Sequence, residues 1–334
     1  MKKFLWLITN RNFILLLSII LGLLVRNIGD WVKNLTVPAL AIVMVVSLTR
    51  ISFRSLVNAR LVIKSTLYTI LFNFVIFGAV MMILAWFLIR DNDLWIGFVI
   101  LATAPPGVAI APFAYIIGGD EKFSVIGMVG AYIASLFLIP LAGLVFVGKN
   151  FIQPLNLLII FVELIIAPMI ISQVLVKFRL EKHITKWRGA IVNWGLFVVI
   201  FAVVSLNRDV FFRDFKTLAK ISLICFITIF SLWLLTNFVL RKLKFTDEIR
   251  KSLVLAATIK NSGFAAASAL ALFGEKASLP GAILSVFLII FLILIGLKPR
   301  SKPQNESFSS PLKNQSFPSI HETDEKEMTV TAKF

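Results

Sequence analysis

Lys260, Asn261, Ser262 and Gly263 stand together in the middle of an otherwise apolar stretch, LVLAATIKNSGFAAASALALF (253–273). In lipid an ammonium and a carboxamide need partners, and ionisable groups there are costly enough to mark a working site. A second irregular stretch, LATAPPGVAIAPFAYIIGG, places Pro105, Pro106, Gly107 and Pro112 where the hydrophobicity calls for a helix. Proline lacks a backbone donor and its ring clashes with the preceding turn, so adjacent prolines break a helix. The break frees N–H and C=O groups that lipid cannot satisfy; they persist where they line a cavity and hold a solute or an ion. This is the chemistry of binding a charged solute. The sequence shows no Ser/His/Asp set, no paired carboxylates and no phosphate loop, so an enzyme is not expected. His183 and His321 have no second ligand at useful spacing, and the single cysteine, Cys225, provides neither a disulfide framework nor a metal cluster.

The elements that position these residues follow from composition. The chain of 334 residues is 59% hydrophobic and 15% charged, with a mean hydropathy of +0.93, against about 45–50% and about 25% in soluble domains. Ten membrane spans of about 20 residues are predicted near 12–27, 35–50, 63–89, 94–117, 123–147, 155–177, 187–206, 217–240, 252–273 and 278–297. MKK before an apolar run also fits a signal peptide, but no small-residue cleavage site follows. Twenty-one Lys and Arg residues fall on the side of the N-terminus, among them Lys2, Lys3, Arg54, Lys182 and Arg241, against nine on the other. The positive-inside rule then puts both termini in the cytoplasm, most simply of a bacterial inner membrane. The formal net charge of +17 is spread between apolar runs rather than clustered on one face, which argues against nucleic acid as a partner. After Leu297 the chain turns rich in Ser, Pro, Lys and Glu, the composition of a disordered tail (298–334). Trp6, Trp31, Trp86, Trp95 and Trp187 lie near predicted interfaces as anchors. GMVGA (127–131) places small residues four apart, as close helix packing requires. Asn193 and Trp194 in the seventh span either face a solute or bond a neighbouring helix.

Pro105 and Lys260 each fall in the penultimate span of a five-span half, 1–150 and 151–297. Because five is odd, the second half enters the membrane from the opposite side. The pattern is an inverted repeat with interrupted helices at matching places, which points to a secondary-transporter binding site. By helical rise both interruptions lie roughly 12–17 Å into their spans, near the midplane.

These motifs resemble those of the bile acid:sodium symporter family over residues 1 to about 297. KNSGFAAASALALF is similar to the family's Glu-x-x-x-Gln-Asn-Ser-Gly-Leu-Ala tract, LATAPPGVAIAPFAYIIGGDEKFSV to its Cys-Pro-Gly-Gly-Thr-Ala-Ser-Asn tract, and LFNFVIF places Asn73 where the family carries a glutamine. The resemblance implies an all-α polytopic protein of ten helices in two inverted repeats. A panel domain would comprise spans 1, 2, 6 and 7, and a core domain spans 3–5 and 8–10, with broken spans 4 and 9 crossing in the core. It also implies transport of a small organic anion by alternating access.

The departures from the family pattern carry a prediction. The family's sodium-binding glutamate aligns with Ala256, its glutamine with Lys260, its fourth-span Ser-Asn ligands with Ile110 and Ala111, and its fifth-span hydroxyls with the neighbourhood of Met128 and Tyr132. Sodium wants oxygens, and these positions are largely apolar, so no cofactor or coupling ion is expected at the usual site. One glutamate with two sodium ions carries a net charge of +1; Ala256 with a protonated Lys260 carries the same. Lys260 is therefore expected to supply the charge for an anionic substrate, with Asn73, Asn261, Ser262, Gly263, Pro105, Pro106 and Gly107 forming the site. Alternatively Lys260 is structural or coupling, pairing with Glu163 of the sixth span, in a carrier driven by protons or sodium. A reading of another class is a membrane sensor signalling through the tail. A homo-oligomer in membrane lipid is compatible with all three.

Overall fold

The structure, a computed structural model, describes residues 10–25, 29–49, 59–148, 159 and 162–296. Lys2, Lys3, Trp6, Arg54 and the tail at 298–334 lie outside these residues. The chain is helical throughout them, and its one β-type pairing is an isolated bridge between Pro106 and Lys260. The helices of eight or more residues are α1 (Arg11–Leu24), α2 (Gly29–Leu48), α3 (Ala59–Leu88), α4 (Asn92–Thr103), α5 (Ile110–Ile117), α6 (Glu121–Phe146), α7 (Ala167–Lys177), α8 (Arg188–Leu206), α9 (Phe215–Lys242), α10 (Asp247–Thr258), α11 (Ser262–Phe273) and α12 (Glu275–Gly296), with single turns at Glu181–Thr185 and Arg208–Arg213. Six of them contain stretches long and apolar enough to cross a membrane: α2, α3, α6, α8, α9 and α12. A π-helical segment, Leu71–Ile76, interrupts α3, and another, Val162–Ile166, leads into α7.

Local sequence explains where the helices begin. Asn10, Asp91, Asp120 and Asp214 each accept a bond from the backbone N–H three residues on, at 3.0, 3.1, 2.8 and 3.0 Å, the N-cap that satisfies donors left free in the first turn. Thr217 holds the Asp214 carboxyl below its ordinary range. Burial pushes the Asp120 carboxyl up.

Hydrogen bonds between helix ends sort them onto two faces. On one, Arg208 Nε bonds Leu23 O (2.7 Å), Ser205 Oγ bonds Val25 O (3.3 Å), Trp95 Nε1 bonds Phe146 O (2.9 Å) and Lys276 pairs with Asp91. This face gathers the ends of α1, α6 and α8 and the starts of α4 and α12. On the other, Arg188 Nη2 bonds Thr49 Oγ1 (3.2 Å), Asp120 N bonds Glu248 O (3.2 Å) and Ser252 Oγ bonds Asp120 O (2.9 Å). That second, terminal face is where α1 begins and α12 ends.

Large apolar side chains point outward as well as inward: Trp31, Leu35, Ile83, Trp86, Phe137 and Leu234 are all more than half exposed. A soluble surface does not carry such a continuous apolar coat, and this chain is an integral, multi-pass membrane protein. Inside, glycine sets the approach of α6 to α3. A Cβ on Gly127 would stand 2.1 Å from Thr69 Oγ1, and one on Gly130 2.1 Å from Thr66 Oγ1.

Candidate functional site: a crossing of two broken helices

Both interruptions predicted from the sequence are present, and they meet. Residues 104–109 separate α4 from α5, and 259–261 separate α10 from α11. Pro105–Gly107 runs antiparallel to Ile259–Asn261, with Gly107 N donating to Ile259 O (3.1 Å) and Asn261 N to Pro105 O (2.9 Å). The backbones approach so closely that a Cβ on Gly107 would lie 2.8 Å from both Ile259 Cγ2 and Lys260 O. Glycine at 107 is thus required by space.

The prolines create a deficit that Lys260 fills. The helical partner of Ala102 O would be the N–H of residue 106, and proline has none. Lys260 Nζ donates instead to Ala102 O (2.8 Å) and Ala104 O (2.7 Å), capping the C-terminal end of α4, where the helix dipole is negative. Phe74 and Phe77 of α3 present ring faces to the same ammonium, 4.5 and 5.1 Å from their centroids, an attractive arrangement for a cation. Lys260 is 1% exposed. The π-helical segment of α3 also carries Asn73, whose Nδ2 donates to Ala256 O (2.8 Å) and Ile259 O (3.3 Å) at the end of α10. Both half-helix C-termini are therefore closed by side-chain nitrogen donors. Asn73 Oδ1 is buried without a partner.

Asn261 starts α11 by accepting from Phe264 N (3.0 Å), while its Nδ2 donates to Tyr132 OH (3.1 Å) on α6 and Met44 Sδ (3.4 Å) on α2. Ser285 Oγ of α12 donates to Ser262 Oγ (2.8 Å). Gly263 faces Leu196 of α8, whose Cδ2 would stand 2.8 Å from an added Cβ.

A cleft of about 60 Å³ runs beside the crossing. One wall is Leu15 of α1, Val43 of α2 and Leu196 and Ile200 of α8; the other is residues 107–109 and 259–263 with Ser285, Leu288, Ile289 and Leu292 of α12. On the same measure one water needs roughly 10–15 Å³, so the cleft as it stands holds a few waters and would have to widen for an organic anion. The groups around the Lys260 ammonium, Phe74, Phe77, Ala102 and Ala104, do not line it. The charge is turned into the crossing, away from the cleft.

Of the residues singled out in the sequence, Lys260, Asn261, Ser262, Gly263, Asn73, Pro105, Pro106 and Gly107 are brought together. Glu163 is not: it lies exposed in Val162–Ile166, and no ion pair joins it to Lys260. Ile110, Ala111, Ala256 and Met128 are buried and offer only methyl groups or a thioether as side-chain atoms. Phe74, Phe77, Ala102, Ala104, Met44 and Ser285 were not foreseen. The proline pair, which strands the carbonyl of Ala102, was the available signal for one of them.

The chain matches the family model described as the Sodium Bile acid symporter family over residues 37–214, more than half its length. No curated protein matches it.

Proposed function

The chain belongs to the sodium bile acid symporter family, whose members are membrane transporters rather than enzymes, and we propose that it carries a small organic anion by alternating access, without the family's usual sodium coupling. The observation that carries this reading is the Lys260 ammonium seated on Ala102 O and Ala104 O. Carbonyls at the end of a broken helix are where a cation would sit, and here the protein supplies its own. The Asn73 carboxamide meets the same need at the end of α10. The ammonium acts on an anion in the cleft through its field rather than by contact.

In this reading ten spans form two inverted repeats, 1–150 and 151–297, followed by a cytoplasmic tail, with both termini on the cytoplasmic side of a bacterial inner membrane. α1, α2, α7 and α8 form the panel, the remaining helices form the core, and the anion binds between them. A second reading, in which Lys260 only staples the crossing and protons or sodium drive transport elsewhere, is favoured by the direction of the ammonium, away from the cleft. Nothing in the fold or the family favours the sensor reading.

Uptake of labelled organic anions into proteoliposomes, with and without sodium and a pH gradient, separates the readings. The proposal expects uptake indifferent to sodium and lost in Lys260→Gln. Sodium-dependent uptake that survives Lys260→Gln would leave the lysine a structural staple.

A further inference from the structure

The cleft lies nearer one face of the molecule, under buried side chains. Leu15, Val43, Leu288 and Leu292 line it near the terminal-face ends of α1, α2 and α12. Leu292 is only four residues from the end of α12, about 6 Å by helical rise. Toward the opposite face the two walls are shut. Ile200 and Val204 of α8 are buried there, with Phe211 and Ile289 packed against them.

At the shut end stands Asn207, the residue that terminates α8, itself 5% exposed. Its Nδ2 bonds back to Val203 O (2.9 Å) and reaches across to α12, to Glu275 O (3.0 Å) and Ser278 Oγ (3.3 Å). Each side of this link is anchored within its own body. The end of α8 is tied to α1 by Arg208 and Ser205, and the start of α12 is tied to α4 by the Lys276–Asp91 ion pair. Apolar packing between the walls is non-directional and can slide, whereas these hydrogen bonds have one geometry. A polar contact across the gap at the crossing, Asn261 Nδ2 to Met44 Sδ, ends on a thioether, a weak acceptor.

We propose that the Asn207 carboxamide is the latch that holds the site shut toward the face opposite the termini, and that its release from Glu275 and Ser278 admits solutes from that side. The bond to Val203 O stays within α8 and keeps the side chain aimed in both states. The inference rests on the alternating-access reading. Losing two hydrogen bonds of ordinary net strength shifts a two-state ratio by roughly 30-fold.

The test uses Val108→Cys, a half-buried cleft position at the crossing, in full-length protein carrying Cys225→Ala. Cys225 is the only cysteine in the chain. A membrane-impermeant maleimide is applied to vesicles of each orientation. The parent should label through the terminal face. Asn207→Ala should raise labelling from the opposite face about 30-fold, and Ser278→Ala, which leaves the α8 terminus intact, should raise it several-fold. If the parent labels through the terminal face and neither variant changes opposite-face labelling, the latch is wrong and alternating access stands. If the parent labels equally from both faces, or from neither, the alternating-access reading fails and the latch with it.

Discussion

Replacing Lys260 by methionine keeps most of the side-chain length and removes the charge, so it separates the field of the ammonium from its bulk. Two effects on stability oppose each other. Ala102 O and Ala104 O lose their donor, at roughly 1–3 kcal/mol for each buried acceptor. Against this, a buried ammonium is no longer desolvated, a gain of several kcal/mol. The melting temperature should therefore move little. Anion affinity should not be spared. With the anion about 8 Å away, one helix spacing, and an effective dielectric constant of about 20, one unit charge contributes ~2 kcal/mol. That is roughly a 30-fold loss for a monocarboxylate and, the energy being proportional to charge, on the order of 1000-fold for a dicarboxylate. Equilibrium binding of a matched mono- and dicarboxylate to protein in nanodiscs reads both numbers, with Lys260→Arg as the charge-retaining control. Equal losses for the two ligands, or none for either, would refute the idea that the lysine acts as a fixed cation.

Three further outcomes follow from contacts around the site. Asn261→Ala removes the cap of α11 and the bonds to Tyr132 and Met44; it should destabilise by about 1–2 kcal/mol, readable as a lower denaturation midpoint. Gly107→Ala forces a Cβ to 2.8 Å from Lys260 O, overpacking that costs about 1–3 kcal/mol, and should abolish uptake while Val108→Ala does not. The Asp91 carboxyl is raised by its partial burial but more than offset by hydrogen bonds from Lys276 and Leu94, so it lies below its ordinary range. Its contribution is complete above the unfolded value of about 3.9 and is lost as the pH falls through the lower folded value. Because the Asp91 side chain is 36% exposed, solvent screening keeps the effect below ~1 kcal/mol. The melting-temperature gap between the parent and Asp91→Asn should be present at pH 7 and shrink as the pH falls below about 3.9; a gap unchanged as the solution is acidified below that point would contradict the assignment.

The breaks were legible in the sequence because they depend on local chemistry. Two adjacent prolines cannot continue a helix, and a Lys-Asn pair cannot lie bare in lipid. What each broken end would touch was not legible, because the partners are more than 150 residues away in the chain. The proline pair marked the Ala102 carbonyl as stranded, but nothing in the sequence said that the ammonium of Lys260 would turn to meet it rather than pair with Glu163. That direction is set by the carbonyl Pro106 leaves unpartnered and by two aromatic rings on α3. The π-helical turn that carries Asn73 and Phe74 was equally hidden, since LFNFVIF has the apolarity of an ordinary helix and the extra residue per turn emerges only when Asn73 reaches α10. The packing glycines were half visible: the 127–131 spacing pointed to a close approach, and the structure adds Gly130 against Thr66.

The antiparallel contact between Pro105–Gly107 and Ile259–Asn261 also constrains how the protein can be made. A ribosome adding roughly 5–20 residues per second emits the second partner about 8–30 s after the first. During that interval the α4–α5 break has no ammonium to meet its stranded carbonyl and no residue 259 to receive Gly107 N–H. The nascent chain must keep that region wet, or sheltered by the insertion machinery, until the second half arrives. Truncation before residue 247 removes every group that closes the break, so the first half alone is a poor substrate for stable insertion and a good one for proteolysis. Supplied together as separate chains, the two halves hold complementary edges of one small β-like seam.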